Sequence, residues 1–181
     1  MKVSSTELPE VLIIEPTVYG DSRGYFLETY HVQKYQQAGL FVQFVQDNYS
    51  HSSIGILRGL HAQIHRPQGK LVWVMKGEIF DVSVDIRRGS KTFGHWIGLY
   101  LSGENFRQCY IPPGFAHGYC VVSEEADVVY KCTEVYDPTD ELTIPWDDPD
   151  INITWPIPNP ILSEKDLKAR PLSEILDRLP M

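Results

Sequence analysis

Apolar and polar positions alternate with a period of two from residue 10 to about 155, in short runs broken by Gly, Pro, Asp and Ser. The clearest stretch, KLVWVMKGEIFDVSVDIRRG, predicts two strands, Leu71–Val74 and Ile79–Ile86, joined at Lys76-Gly77. In the second, Phe80, Val82, Val84 and Ile86 share one face, and Ile79, Asp81, Ser83 and Asp85 the other. The pattern predicts further strands at Phe26–Tyr30, Phe41–Val45, Ile56–Gln63, Trp96–Leu101, Gln108–Ile111, Tyr119–Val122 and Val128–Val135. Many short strands separated by turn residues point to an all-β sandwich or barrel. Only two segments read as helical. His31–Gly39 ends on a glycine suited to a C-cap. The tail after WPIPNP has Ser163 and Asp166 in capping-box spacing and predicts a helix running towards LSEIL.

A length of 181 residues fits one domain. The net charge of -8 weighs against a nucleic-acid partner, so a phosphate-bearing ligand would need a local cluster of Arg and Lys. The apolar run Val11–Ile14 is too short for a signal peptide and nothing approaches a membrane span; a cytoplasmic protein without membrane association is expected. Cys109, Cys120 and Cys132 lack metal-ligand spacing and read as buried reduced thiols. Asp147-Asp148-Pro149-Asp150 reads as a solvated turn, and His31, His51, His65 and His95 as surface residues without partners.

Two segments carry candidate chemistry. From Gly55 the chain leads to His61, Gln63 and Lys70, and downstream Pro112-Pro113-Gly114-Phe115-Ala116-His117 forms a Pro-x-Gly-x-x-His turn. The pair resembles the two motifs of the cupin superfamily, a double-stranded β-helix or jelly-roll barrel. Metal-binding cupins place three His and a Glu where this chain has His61, Gln63, Lys70 and His117. Gln is a weak ligand and an ammonium has no lone pair, so too few ligands remain and no metal is expected. A neutral His beside a Lys could instead remove a proton next to a carbonyl while the ammonium stabilises the oxyanion. Tyr130 and Tyr136 share one strand parity along VVYKCTEVY, and a phenol there could return the proton. Strict alternation sets Arg58 on the face opposite His61 unless the strand bends, and Gly59 between them could accommodate a bulge.

With these residues placed, the strings GDSRGYFLETY, FVQDN, LRGLHAQ, PQGKLV, GEIFDVSVDIR, TFGHWIG, LSGENFRQ, IPPGFAHGY, YKCTEVYDP, WDDPDINITWP and ILSEKD resemble the dTDP-4-dehydrorhamnose 3,5-epimerase family from about Val11 to Leu172. The resemblance implies one cupin-like domain over 1–181, with short flanking helices and a C-terminal tail or helix at 156–181. It implies His61 as the base, oriented by Asp166, with Tyr130 as the acid on the opposite face and Lys70 beside the enolate oxygen. It implies that Arg23, Glu28, Gln46, Asn48, Arg58, Gln63, His117 and Tyr136 line the substrate pocket, Arg23 and Arg58 towards the diphosphate. The substrate implied is a dTDP-4-keto-6-deoxy sugar, epimerised at C3 and C5 without a cofactor. The family also implies a homodimer exchanging N-terminal strands within 1–50, so that Arg23 and Glu28 serve the neighbouring cavity.

Tyr49, Ala62 and Trp73 depart from the family's usual residues and bear on nucleotide contacts and on whether one carbon or two is processed. A mono-epimerase on the same type of sugar is therefore the nearest alternative, ahead of a metal-dependent cupin and a non-catalytic sugar-nucleotide binder.

Overall fold

The computed structural model describes residues 1–181. Two antiparallel sheets face one another as a jelly-roll barrel. The first holds six strands in the order β1 (Lys2–Ser5), β2 (Leu12–Glu15), β10 (Gln108–Ile111), β7 (Lys70–Lys76), β12 (Glu125–Cys132) and β5 (Gln46–Ser53). The second holds five, in the order β13 (Glu141–Thr143), β6 (Leu57–Gln63), β11 (Phe115–Val121), β8 (Glu78–Asp85) and β9 (Trp96–Ser102). A separate hairpin joins β3 (Val18–Asp21) to β4 (Gly24–Leu27).

Alternation along each strand sorts side chains between the barrel interior and two outer faces. Inside, Val72, Val74, Ile79, Leu101, Ile111, Val121 and Val128 form a dry core at one end. Outside the five-stranded sheet, Phe80, Val82, Val84 and Ile86 pack against Ile151 and against Leu172, Ile175 and Leu179 of the C-terminal tail. Outside the six-stranded sheet, Leu71, Trp73 and Tyr110 are covered by Tyr35 and Leu40, with Val42 and Phe44 packed alongside. Both faces of β8 are therefore buried: Asp81, Ser83 and Asp85, the polar row opposite its apolar one, are each at most 1% exposed.

Several predicted elements differ from those observed: the strand expected at Phe26–Tyr30 spans Gly24–Leu27, and that expected at Tyr119–Val122 spans Phe115–Val121. Phe41–Val45 forms no strand. Its alternation survives as burial of Val42 and Phe44 with Phe41, Gln43 and Val45 exposed, but the segment serves as a cover and carries no ladder. The strand expected at Val128–Val135 spans Glu125–Cys132, so Tyr136 lies in the following loop. The helix expected in the tail is instead three short 3-10 turns, Asp166–Lys168, Leu172–Glu174 and Leu176–Arg178. Pro171 lacks an N–H and biases its predecessor towards extended backbone, which stops the first turn from propagating.

The other helix holds. α1 (Val32–Gln37) ends at Gly39, whose φ of +94 lets the Leu40 N–H reach the Tyr35 carbonyl and the Gly39 N–H the Gln36 carbonyl. The three cysteines are free and buried. Among the histidines read as unpartnered, His51 meets Asp127 at 2.7 Å and His65 meets Asp140 at 2.7 Å, while His31 is half-buried.

Candidate active site

The polar end of the barrel interior is a cavity of about 610 Å³, within the usual range for small-ligand sites. Its walls come from inward-facing positions on both sheets. β5 contributes Gln46, Asn48 and Ser50; β7 contributes Lys70; β12 contributes Tyr130 and Cys132. The facing sheet supplies Arg58, His61 and Gln63 from β6 and His117 and Tyr119 from β11. Tyr136, Glu141 and the irregular segment carrying Ile161, Leu162, Ser163, Lys165 and Asp166 complete the rim.

Arg58 and His61 share this cavity because β6 slips one residue against β11. His117 pairs with His61, yet Tyr119 pairs with Arg58. Gly59 sits in that slip at φ +123, where a Cβ would lie 2.6 Å from the Gly118 Cα and 2.7 Å from the His117 carbonyl oxygen. Only glycine accepts both the conformation and the close approach.

His61 places Nε2 2.6 Å from Asp166 Oδ1. Asp166 is itself held by Ser163, whose hydroxyl donates to Oδ2 at 2.8 Å while its oxygen accepts the Asp166 N–H at 3.2 Å. Capping and orienting thus coexist in one aspartate. Burial pushes this carboxyl up, but the His61 hydrogen bond and charge, with Ser163 and Lys165, hold it below the usual carboxylate range. With Nε2–H donated to a carboxylate, the lone pair of the imidazole resides on Nδ1. Nδ1 stands 4.0 Å from Glu141 Oε1, and Glu141 in turn accepts the Tyr136 hydroxyl at 3.0 Å and the Lys165 ammonium at 2.7 Å. Glu141 and Lys165 were not among the expected site residues: Glu141 stands in no distinctive motif, and Lys165, though beside Asp166 in ILSEKD, shows its partner only once the chain is folded.

The facing wall holds the groups suited to the other half of a proton transfer. Tyr130 stands on the sheet opposite His61, and burial pushes its phenol up to about 12. Lys70 is enclosed by the barrel; burial pushes its ammonium down, against the opposing pull of Cys132, Glu141 and Asp81. On the His61 side, His117 gives Nε2 to Asp81 at 2.7 Å, and burial pushes its imidazole down, favouring the neutral form.

Of the residues expected to line the pocket, Gln46, Asn48, Arg58, Gln63, His117 and Tyr136 do so. The two glutamines have a structural task as well. Gln63 is only 6% exposed; it donates to the Arg66 and Val135 carbonyls and accepts the Asp137 N–H at 2.8 Å. Gln46 accepts the Tyr136 N–H at 2.8 Å. Together they pin the loop that carries Tyr136. Arg23 and Glu28 do not reach this cavity: Arg23 is paired with Asp21 on the exposed β3–β4 hairpin and Glu28 with Lys34. Asp148 is no solvated turn residue but is 1% exposed and fully engaged. Tyr49 points outward to Asp127 and Trp73 packs under the outer cover, so neither departure adds a side chain to the cavity.

His61 and His117 each commit Nε2 to an aspartate, Gln63 is consumed by backbone groups, and Lys70 cannot ligate a cation. That donor set does not fit the three-His site of metal-binding cupins. No helix is long and apolar enough to cross a membrane.

The family model for dTDP-4-dehydrorhamnose 3,5-epimerase matches residues 5–174. A dTDP-4-dehydrorhamnose 3,5-epimerase of Methanothermobacter thermautotrophicus is 55% identical over 172 residues, covering 93% of each chain. One from Shigella flexneri is 53% identical, covering 94% of this chain and 95% of that protein. Among solved structures, dTDP-6-deoxy-D-glucose-3,5-epimerase of Legionella pneumophila, in complex with dTDP-4-keto-L-rhamnose, superposes with a TM-score of 0.96 at 50% identity, covering 99% of this chain and 97% of that one. On a match that spans the barrel and the segment bearing Asp166 alike, the chain belongs to the dTDP-4-dehydrorhamnose 3,5-epimerase family.

Proposed function

We propose that this protein epimerises dTDP-4-dehydro-6-deoxy-D-glucose at C3 and C5 to dTDP-4-dehydro-L-rhamnose, on the route to dTDP-L-rhamnose. The observation that carries the reading is the His61–Asp166 pair at 2.6 Å, set across the cavity from Tyr130 and Lys70.

In this mechanism His61 Nδ1 takes the proton from the carbon beside the 4-keto group. Asp166 holds the tautomer and stabilises the imidazolium as it forms. The Lys70 ammonium faces the developing enolate oxygen, a contact worth about 10²–10³-fold in rate for donors of this kind. The Tyr130 phenol gives its proton to the opposite face of the enolate, inverting the carbon. His61 then releases its proton and Tyr130 regains one through solvent, ready for the second carbon. Arg58 at the rim supplies positive charge for the diphosphate, against an overall charge of -8.

The protein works as a cytoplasmic homodimer in this reading, with Arg23 and Glu28 completing the partner's cavity. Support comes from the β3–β4 hairpin, where Tyr19, Tyr25 and Phe26 are each at least 60% exposed, an apolar display suited to burial against a second copy.

Incubating substrate with enzyme in deuterated water is the deciding experiment. Deuterium at both C3 and C5 is expected; label at one carbon converts the reading to a mono-epimerase, and label at neither sinks it.

A further inference from the structure

The dyad acid does not belong to the barrel. Asp166 lies on a span of irregular chain fastened at two places. Upstream, Ile161 bridges to the start of β6: its N–H reaches the Gly55 carbonyl at 2.8 Å and its carbonyl accepts the Leu57 N–H at 3.0 Å. Downstream, the Leu172 N–H donates to Asp148 Oδ2 at 2.7 Å. Between the two ties, the polar contacts that fasten the span to the barrel are the Asp166–His61 bond, braced by Ser163, and the Lys165 ammonium on Glu141 Oε2 at 2.7 Å.

Asp148 is built for such a tie. It is 1% exposed, and its other oxygen, Oδ1, accepts the Asp150 N–H at 3.0 Å and the Ile151 N–H at 3.2 Å. One oxygen shapes the 145–152 turn and the other reaches out to the tail. A buried carboxylate with three N–H donors is satisfied, and removing its acceptors leaves those donors orphaned.

We infer that Asp148 is a positioning residue for the reaction, latching the chain at Leu172 so that Asp166 stays against His61. The inference rests on the role given above to the His61–Asp166 pair. Asp148 does not line the cavity, and its effect on the chemistry runs through the span. A displacement near 1 Å at a reacting group can cost about 10²-fold, so a slackened span is felt in turnover.

Asp148→Asn separates the two jobs. The amide oxygen can still accept from Asp150 and Ile151, which keeps the turn, while its NH₂ then faces the Leu172 N–H and breaks the latch. The expected result is a kcat about tenfold lower with KM changed less than about threefold. The downfield proton signal of His61 Nε2–H should weaken or move upfield with it. In an Asp166→Asn background the same substitution should change kcat by less than about twofold, because its route to the chemistry is already cut. A glycine inserted between Ala169 and Arg170 slackens the span without touching Asp148, and the same pattern is expected; it serves also if Asp148→Asn does not fold. The inference is overturned if both variants leave kcat and the His61 signal unchanged, or if they lower kcat by the same factor with and without Asp166. If Asp166→Asn alone leaves turnover intact, the dyad reading falls and the latch with it.

Discussion

Gly59→Ala is the sharpest test of how the site is assembled. The new Cβ would sit 2.6 Å from the Gly118 Cα and 2.7 Å from the His117 carbonyl oxygen, against ordinary contacts that begin at 3.4 Å. The obstacles are backbone, not flexible side-chain ends, so β6 and β11 must part by about 0.8 Å. Holding alanine at φ +123 costs about 1–3 kcal/mol, and overpacking adds about 1–3 kcal/mol. The sum is a large share of the roughly 5–15 kcal/mol that stabilises a typical domain. The same displacement lies between Arg58 and His61, so kcat should fall by up to about 10²-fold. Urea unfolding followed by tryptophan fluorescence, with turnover measured on the folded fraction, checks both. Gly89→Ala, where the nearest atom is an ordinary 3.7 Å away, is the control and should stay within about 0.5 kcal/mol. A Gly59→Ala protein with unchanged midpoint and unchanged kcat would refute the reasoning.

Tyr130→Phe should retain exchange of the substrate proton with deuterated water while slowing inversion by about 10²-fold or more, since a general acid is worth that much; equal loss of exchange and inversion would speak against its role as the acid. Burial lowers the Lys70 ammonium below the ordinary lysine value, so activity should decline with rising pH before that value is reached. Lys70→Arg should shift that limb upward, and the Tyr130 phenol, at about 12, should contribute no limb in the neutral range. Asp85 is fully buried; burial pushes its carboxyl up, but Arg87, Ser90 and Thr92 draw it down to about 2. Because the folded value lies below the unfolded one, Asp85 contributes about 2 kcal/mol above pH 4 that is lost as pH falls towards 2. Denaturant melts of Asp85→Asn should be flatter than wild type across that window. Mixing Arg23→Ala with His61→Asn chains should regenerate one intact cavity per mixed dimer and restore activity; no recovery argues that Arg23 serves its own chain or none.

Local periodicity made most of the barrel legible. β7 and β8 follow directly from KLVWVMKGEIFDVSVDI, and the Arg58–His61 conflict pointed to Gly59 before any coordinates. β5 escaped because it is an edge strand: QDNYSHSS is polar throughout, its inner face lining a wet cavity and its outer face exposed. Phe41–Val45 misled for the opposite reason, since an apolar alternation marks burial on one side, whether or not a neighbour supplies hydrogen bonds. Within the site, His61, Lys70, Tyr130 and Asp166 stand in compact motifs; Glu141 does not, and Lys165, though it adjoins Asp166, meets Glu141 only when β13 and the tail fold over β6. Asp148 looked like one of several surface acids because nothing local reveals that Leu172, far along the chain, donates to it. Arg23 and Glu28 stand apart from the cavity of their own chain, so a role for them requires a second molecule.

The span that carries Asp166 also sets an order of events during synthesis. Every barrel strand precedes Ile161 in the chain, so an emerging polypeptide can close its two sheets before Asp166, the acid proposed to orient His61, has been made. Until Leu172 and Ile175 dock on the outer face of the five-stranded sheet, the nascent barrel holds an imidazole with no fixed tautomer. Activity should therefore switch on late and in one step, as the tail seats. A protease cut in the exposed stretch between Asp166 and Leu172 should silence turnover while leaving the sheets intact.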